Sequence, residues 1–123
     1  TGRSRRCGWL DLPALKYSIL INGVTDLVIT KIDVLNSFKT IKICTGYKYF
    51  DKNLDYLPYD AKIDNLKPLY KKFEGWSENI DKINDYNSLP INLKKYIDFL
   101  EKELNVPINV ISIGPDRNET IYR

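Results

Sequence analysis

The sequence predicts an α/β fold, and three observations carry that prediction. A helical stretch ending at Asn22-Gly23 leads into a short continuous apolar run, Leu27-Val28-Ile29-Thr30. The arrangement recurs near the other end, where an amphipathic helix leads into Ile108 to Ile113 (INVISI). Short uninterrupted apolar runs are the mark of buried parallel strands, whose two faces are both covered. Between the two units lies a stretch with a period of two, the pattern of antiparallel strands. The expected architecture is therefore α/β, with a β-rich antiparallel insertion between two strand-then-loop units.

The first helix opens at Asp11, a good N-cap, with Pro13 tolerated in the first turn. Ala14, Leu15, Ile19 and Leu20 give its apolar stripe, and Gly23 accepts the left-handed geometry that ends a helix. From Lys39 to Phe50 (KTIKICTGYKYF), Ile41, Ile43, Thr45, Tyr47 and Tyr49 fall on one face of a half-exposed strand. Asp51-Lys52-Asn53 reads as a turn, and Leu54 to Asp64 as two β-like pieces broken by Pro58. Lys67 to Phe73 reads as a further strand ended by Glu74-Gly75, and Asp81 to Asn87 as a polar loop. Ser88-Leu89-Pro90 opens the second helix, whose Leu93, Tyr96, Ile97, Leu100 and Leu104 recur at helical spacing. Asn105-Val106-Pro107 ends it. Gly114-Pro115-Asp116-Arg117 turns at the carboxyl end of the INVISI strand, and Glu119 to Tyr122 forms a last short strand.

At 123 residues the chain suits one domain, taken as residues 1–123, with one core. Apolar residues at 43% and charged residues at 28% exclude a disordered tail. No apolar run approaches the roughly 20 residues a membrane span needs, so no membrane partner is expected. The net charge of +3 comes from basic residues interleaved with acidic ones, which argues against a nucleic-acid face. Cys7 and Cys44 are too few and too far apart for a disulfide framework or a metal site, and a reduced, cytoplasmic setting follows. Without any Met, the chain reads as a cut piece of a longer one. Without any His, it lacks the commonest general base and the commonest metal ligand.

Ligands of open α/β sheets sit beyond the carboxyl ends of parallel strands, and both candidate loops lie there. In Thr30-Lys31-Ile32-Asp33, a carboxylate can accept from both guanine N1–H and the exocyclic amine, while a Lys two residues earlier lays its stem over the base. This is the logic of the NKxD guanine motif, with Thr30 in place of Asn. Ser112-Ile113-Gly114-Pro115-Asp116-Arg117 could present backbone groups to a base or phosphate. Gly2-Arg3-Ser4-Arg5-Arg6 is a glycine-led loop whose guanidinium forks suit carboxylates and phosphates. Each motif also has an ordinary reading, as a solvated pair, a β-turn and a terminal charge run. Trp9 and Trp76 read as packing residues, and Cys7, with no His partner, as a structural thiol.

Taken in order, TGRSRRCGWLDL, VITKIDVL, EGWSENI and NLKKYIDFLEKELNVPINVISIGPDRNETI resemble the C-terminal third of the adenylosuccinate synthetase family. The resemblance spans nearly the whole chain and is weakest over residues 50–68. It implies the C-terminal part of a P-loop-NTPase-like parallel sheet with the antiparallel insertion. It further implies a GTP-dependent ligase joining IMP and L-aspartate, working as a cytoplasmic homodimer with Mg²⁺, whose ligands are expected upstream of Thr1. In that pattern Thr1, Gly2, Arg3 and Arg5 bind IMP and aspartate, and Arg5 also reaches toward GTP. Lys31, Ile32, Asp33, Ser112, Ile113 and Gly114 enclose the guanine. No residue here matches a catalytic or metal-ligating position, so the isolated chain is expected to be inactive. The alternative is a stand-alone guanine-nucleotide-binding module, against which stands the absence of a GxxxxGK[ST] phosphate loop.

Overall fold

A computed structural model describes residues 2–4 and 6–123, together with the backbone but not the side chain of Ile63. Its strands are β1 (Leu10–Asp11), β2 (Leu27–Ile29), β3 (Thr40–Tyr49), β4 (Lys52–Leu54), β5 (Leu66–Glu74), β6 (Ile108–Ser112) and β7 (Thr120–Tyr122). Its α-helices are α1 (Leu12–Asn22) and α2 (Ile91–Leu104). Among the described residues the strands form two sheets, one ordered β2-β6-β7 and one built around β3. The fold is mixed α/β, as the alternation of helices and apolar runs implied.

The β3 sheet is the antiparallel part. β5 pairs along one edge of β3 from Thr40↔Glu74 to Tyr49↔Leu66. The opposite edge is shared: β1 lies parallel against Ile43 and Cys44, and β4 lies antiparallel against Tyr47 to Tyr49. A bulge between Cys44 and Gly46 sets Thr45 outside the ladder. Thr45 is therefore exposed rather than on the apolar face, and Cys44 joins Ile41, Ile43 and Tyr47 in the interior. Gly46 is required there, because a Cβ would stand 2.7 Å from the Leu54 carbonyl oxygen.

Two further expectations are corrected. The reversal after β3 falls at Phe50-Asp51, with Phe50 at φ 51°, so Lys52 and Asn53 belong to a strand rather than to a turn. From Asp55 to Lys62 there are turns and bends in place of β-like pieces. Pro58 supplies no donor to a ladder, and Tyr56, Leu57 and Tyr59 are all exposed, so no face is available to bury.

Both helices end as the sequence suggests. Asp11 accepts from the Ala14 amide at 3.1 Å, and Gly23 closes α1 in the left-handed region at φ 60°. α2 begins after Pro90 without a side-chain cap and ends at Asn105, φ 53°, whose amide donates to the Glu101 carbonyl at 2.8 Å. α2 turns Leu93, Tyr96, Ile97, Leu100 and Leu104 inward. They join Ile41 and Ile43 of β3, Ile108 and Ile111 of β6, and Ile121 of β7 in one core, which therefore belongs to both sheets. α1 contributes Leu12, with Leu15 and Ile19 partly buried against it. Its Ala14 and Leu20 are exposed, against expectation, Leu20 to 79%; Tyr17 and Ile21 nearby are exposed as well. Among the described residues no helix is long and apolar enough to cross a membrane.

Candidate functional site

β2 and β6 are parallel neighbours, with Leu27 opposite Ile108, Val28 opposite Val110 and Ile29 opposite Ile111. Thr30 follows the last residue of β2 and Ser112 closes β6, so the two candidate loops leave the same end of the same strand pair. Hydrogen bonding between the strands fixes their mutual position.

In the first loop Thr30 and Lys31 are exposed, and Lys31 takes a left-handed backbone conformation at φ 60°. A non-glycine residue held there costs about 1–2 kcal/mol, and such strain collects where function demands a particular backbone path. Ile32 pins the turn by burying its side chain to 1% exposure. It also opens a short 3₁₀ helix, Ile32–Leu35, that carries the half-buried Asp33. Neither the Lys31 ammonium nor the Asp33 carboxylate is engaged in a hydrogen bond or ion pair with any described residue. Ile32, named from the sequence as a binding residue, offers a ligand only its main chain.

The second loop is tightly braced. The Ser112 hydroxyl donates to the Gly114 carbonyl at 3.0 Å. Ile113 buries its side chain to 1% and donates its amide to the Glu119 carbonyl at 2.9 Å, which leaves its own carbonyl as the group available to a ligand. Glu119 also returns its carboxylate to the Asp116 amide at 2.7 Å, completing a reciprocal capping box with Asp116. The same carboxylate lies over Gly114 so closely that a Cβ at that position would collide with it. Sequence reasoning passed over Glu119, although the spacing Asp116-x-x-Glu119 is the signature of such a box.

The arginine loop lies elsewhere in the fold. Thr1 and Arg5 fall outside the described residues. Gly2 is at φ 66°, Arg3, Ser4 and Arg6 are exposed, and neither described Arg is paired with a described carboxylate. The loop runs into β1, where Asp11 holds it to the body twice: one oxygen caps α1, and the other accepts from the Tyr47 hydroxyl. Burial and the adjacent Asp11 carboxylate push the Tyr47 phenol well above its ordinary range, so it remains a donor. Trp9 packs edge-on against Phe38, with ring centroids 5.2 Å apart, and Trp76 is buried, so both are packing residues as read. Cys44 is buried and Cys7 exposed. A cleft of about 600 Å³ beside Trp76, lined by Asn36, Phe38, Lys39 and Glu74 among others, contains none of the site residues named from the sequence.

Fold and loops together define a mixed α/β protein with two loops at the carboxyl ends of adjacent parallel strands, the place where open α/β sheets hold their ligands. The family model for adenylosuccinate synthetase matches residues 1–121. The chain is 51% identical over its full length to adenylosuccinate synthetase of Flavobacterium johnsoniae and 53% identical to that of Flavobacterium psychrophilum. In each case it spans 29% of the relative's length. Its fold matches a solved structure, that of fully ligated adenylosuccinate synthetase from Plasmodium falciparum, with a TM-score of 0.91 and 39% identity. That match covers 98% of this chain and 30% of the other. The chain belongs to the adenylosuccinate synthetase family.

Proposed function

We propose that this chain is the C-terminal segment, acting as a single domain over residues 1–123, of a GTP-dependent ligase that joins IMP and L-aspartate to form adenylosuccinate. Its part is to bind: the guanine between the two β-strand loops, and IMP and aspartate at the arginine loop. The observation that carries this reading is the pairing of β2 with β6, which sets an uncommitted Lys31 and Asp33 beside the braced Ser112–Gly114 turn.

The chemistry follows from donors and acceptors. An ionised Asp33 is acceptor-only and matches the two donors of the guanine edge, N1–H and the 2-amine. Adenine presents no such pair of donors. The Lys31 stem covers the base, and the main chain of Ile32 and of Ser112 to Gly114 encloses it. Arg3 and Arg5 grip carboxylate through planar forks, with Arg5 also reaching toward GTP, while Thr1 and Gly2 close over aspartate. In the reaction the 6-oxygen of IMP takes the γ-phosphoryl group of GTP, and the aspartate amine then displaces it as phosphate. Holding the reactants in place supplies a large share of such rate enhancements.

No acid or base is assigned to this chain. Among the described residues no group of three or more His, Cys, Asp or Glu side chains comes together. We place the Mg²⁺ ligands in the part of the enzyme preceding Thr1. We read β2 and β6 as one flank of a larger P-loop-NTPase-like parallel sheet, and the full enzyme as a cytoplasmic homodimer.

The test is Asp33→Asn in the full-length enzyme. Asn offers a donor to the 2-oxo group of xanthine and keeps an acceptor for a ring N–H. kcat/KM should fall for GTP and rise for XTP, moving their ratio by tenfold or more, since each mismatched contact costs about 1–3 kcal/mol. An unchanged ratio would show that Lys31-Ile32-Asp33 is a surface turn.

A further inference from the structure

The second loop has an organiser that neither the family resemblance nor the sequence motifs had singled out. Glu119 stands beyond the residues proposed to meet the base, at the end of a short 3₁₀ helix, Arg117–Glu119. Three contacts from this one residue converge on the loop. Its carbonyl accepts the Ile113 amide at 2.9 Å, its carboxylate accepts the Asp116 amide at 2.7 Å, and the carboxylate also covers the Cα face of Gly114. The backbone from Ile113 to Asp116 is thus held at both ends and pressed from one side by a single side chain and its own carbonyl. The Ser112 hydroxyl adds a fourth tie, inside the loop, to the Gly114 carbonyl.

We propose that Glu119 is a positioning residue for nucleotide recognition: its carboxylate sets the backbone path of Ile113 to Asp116, so that the loop is shaped before the base arrives. The proposal rests on the guanine-site reading given above. A loop of glycine, proline and polar residues left to itself would be ordered only on binding, and that ordering would be subtracted from affinity. Glu119 removes the cost in advance. It also fixes the residue at position 114. A side chain there would have to displace the carboxylate, so Gly114 and Glu119 are spatially matched and their substitutions must interact.

The experiment uses the full-length enzyme with three variants, Glu119→Ala, Glu119→Gln and Gly114→Ala, and the double variant Gly114→Ala/Glu119→Ala. Loss of a carboxylate acceptor for a backbone amide should raise the KM for GTP about tenfold in Glu119→Ala. The kcat at saturating GTP, the KM values for IMP and aspartate, and the GTP:XTP preference should stay within twofold of wild type. Glu119→Gln keeps a neutral acceptor for the Asp116 amide and should recover most of the affinity, which also provides a folded comparison should the Ala variant be unstable. The double variant should be no worse than the poorer single one, because both changes act on the same contact.

A purely structural role predicts a different pattern, with all three KM values and the thermal midpoint moving together, and that result would overturn the proposal. So would an unchanged KM for GTP in Glu119→Ala when Asp33→Asn does shift the GTP:XTP ratio, an outcome that leaves the guanine site standing. If neither change affects nucleotide use, the guanine-site reading falls and takes this inference with it.

Discussion

At the scale of single residues, the informative features are side chains whose surroundings oppose their ordinary behaviour. Lys31 holds a left-handed backbone that glycine would adopt more cheaply, yet the position is Lys, which the proposed base-covering stem would require. Its identity and its spacing to Asp33 were legible in the sequence, but its backbone conformation was not, since that depends on burial of the neighbouring Ile32. Ile113 shows the limit more sharply: from sequence it was one more contact residue, whereas the fold commits its side chain and its amide. Tyr96 illustrates a consequence for stability. Burial pushes its phenol from 10.0 up to about 12, so the folded protein keeps a proton that the unfolded chain releases. The associated stability is intact below about pH 10 and is lost as pH rises toward 12. A shift of this size corresponds to roughly 2–3 kcal/mol. Tyr96→Phe should lose correspondingly less stability between pH 8 and pH 12 in urea titrations than wild type, and an identical loss would show that Tyr96 is not the group responsible.

At the scale of elements, the helices were read well because their signals are local. Asp11, Gly23 and Asn105 act at their own helix ends, and the α2 stripe is set by its own 3.6-residue period. The strands were read less well because their faces and ends depend on partners distant in sequence. The Thr45 bulge is dictated by β5, and the reach of β4 by the Phe50-Asp51 reversal. Asp11 joins the two kinds of information, since its cap was visible in the sequence and its bond with Tyr47, 36 residues away, was not. Asp11→Ala removes the acceptor of the Ala14 amide and strands the Tyr47 hydroxyl in a partly buried place. The expected loss is about 1–3 kcal/mol of unfolding free energy, read as a lowered urea midpoint. Tyr47→Phe in the Asp11→Ala background should recover part of it, because the orphaned hydroxyl is then gone. A midpoint unchanged in Asp11→Ala would mean that water replaces both bonds.

At the scale of the whole molecule, one core serves two sheets, and the two candidate β-strand loops are anchored in it by Ile32 and Ile113. Residues on the β3 sheet and on the β2-β6-β7 sheet meet α2 in the same interior. The alternation of elements foretold the α/β class, but the division into two sheets was hidden. It follows from β1 joining β3 rather than β2, a choice made by long-range packing. The candidate loops were legible as pieces because their residue types are chemical. Their assembly was legible only through the rule that parallel strands present loops at one end, and the pairing of Ile29 with Ile111 satisfies that rule.

The outward side of α1 and the free edge of β2 have a consequence for how the chain behaves in solution. Tyr17, Leu20, Ile21 and Val28 are 60–79% exposed, and β2 ends its sheet with one edge unpaired among the described residues. Exposed apolar side chains and an open strand edge each make a flank that is a template for contact with another copy. Colloidal behaviour should therefore depend on concentration: sedimentation velocity of the chain alone should show mass above that of a monomer as concentration is raised. Leu20→Lys with Val28→Lys should return it to a single slow-moving species, because two charges on that flank make close approach costly. A chain that sediments as a monomer at every concentration, with or without the lysines, would show that this flank is inert to its own copies.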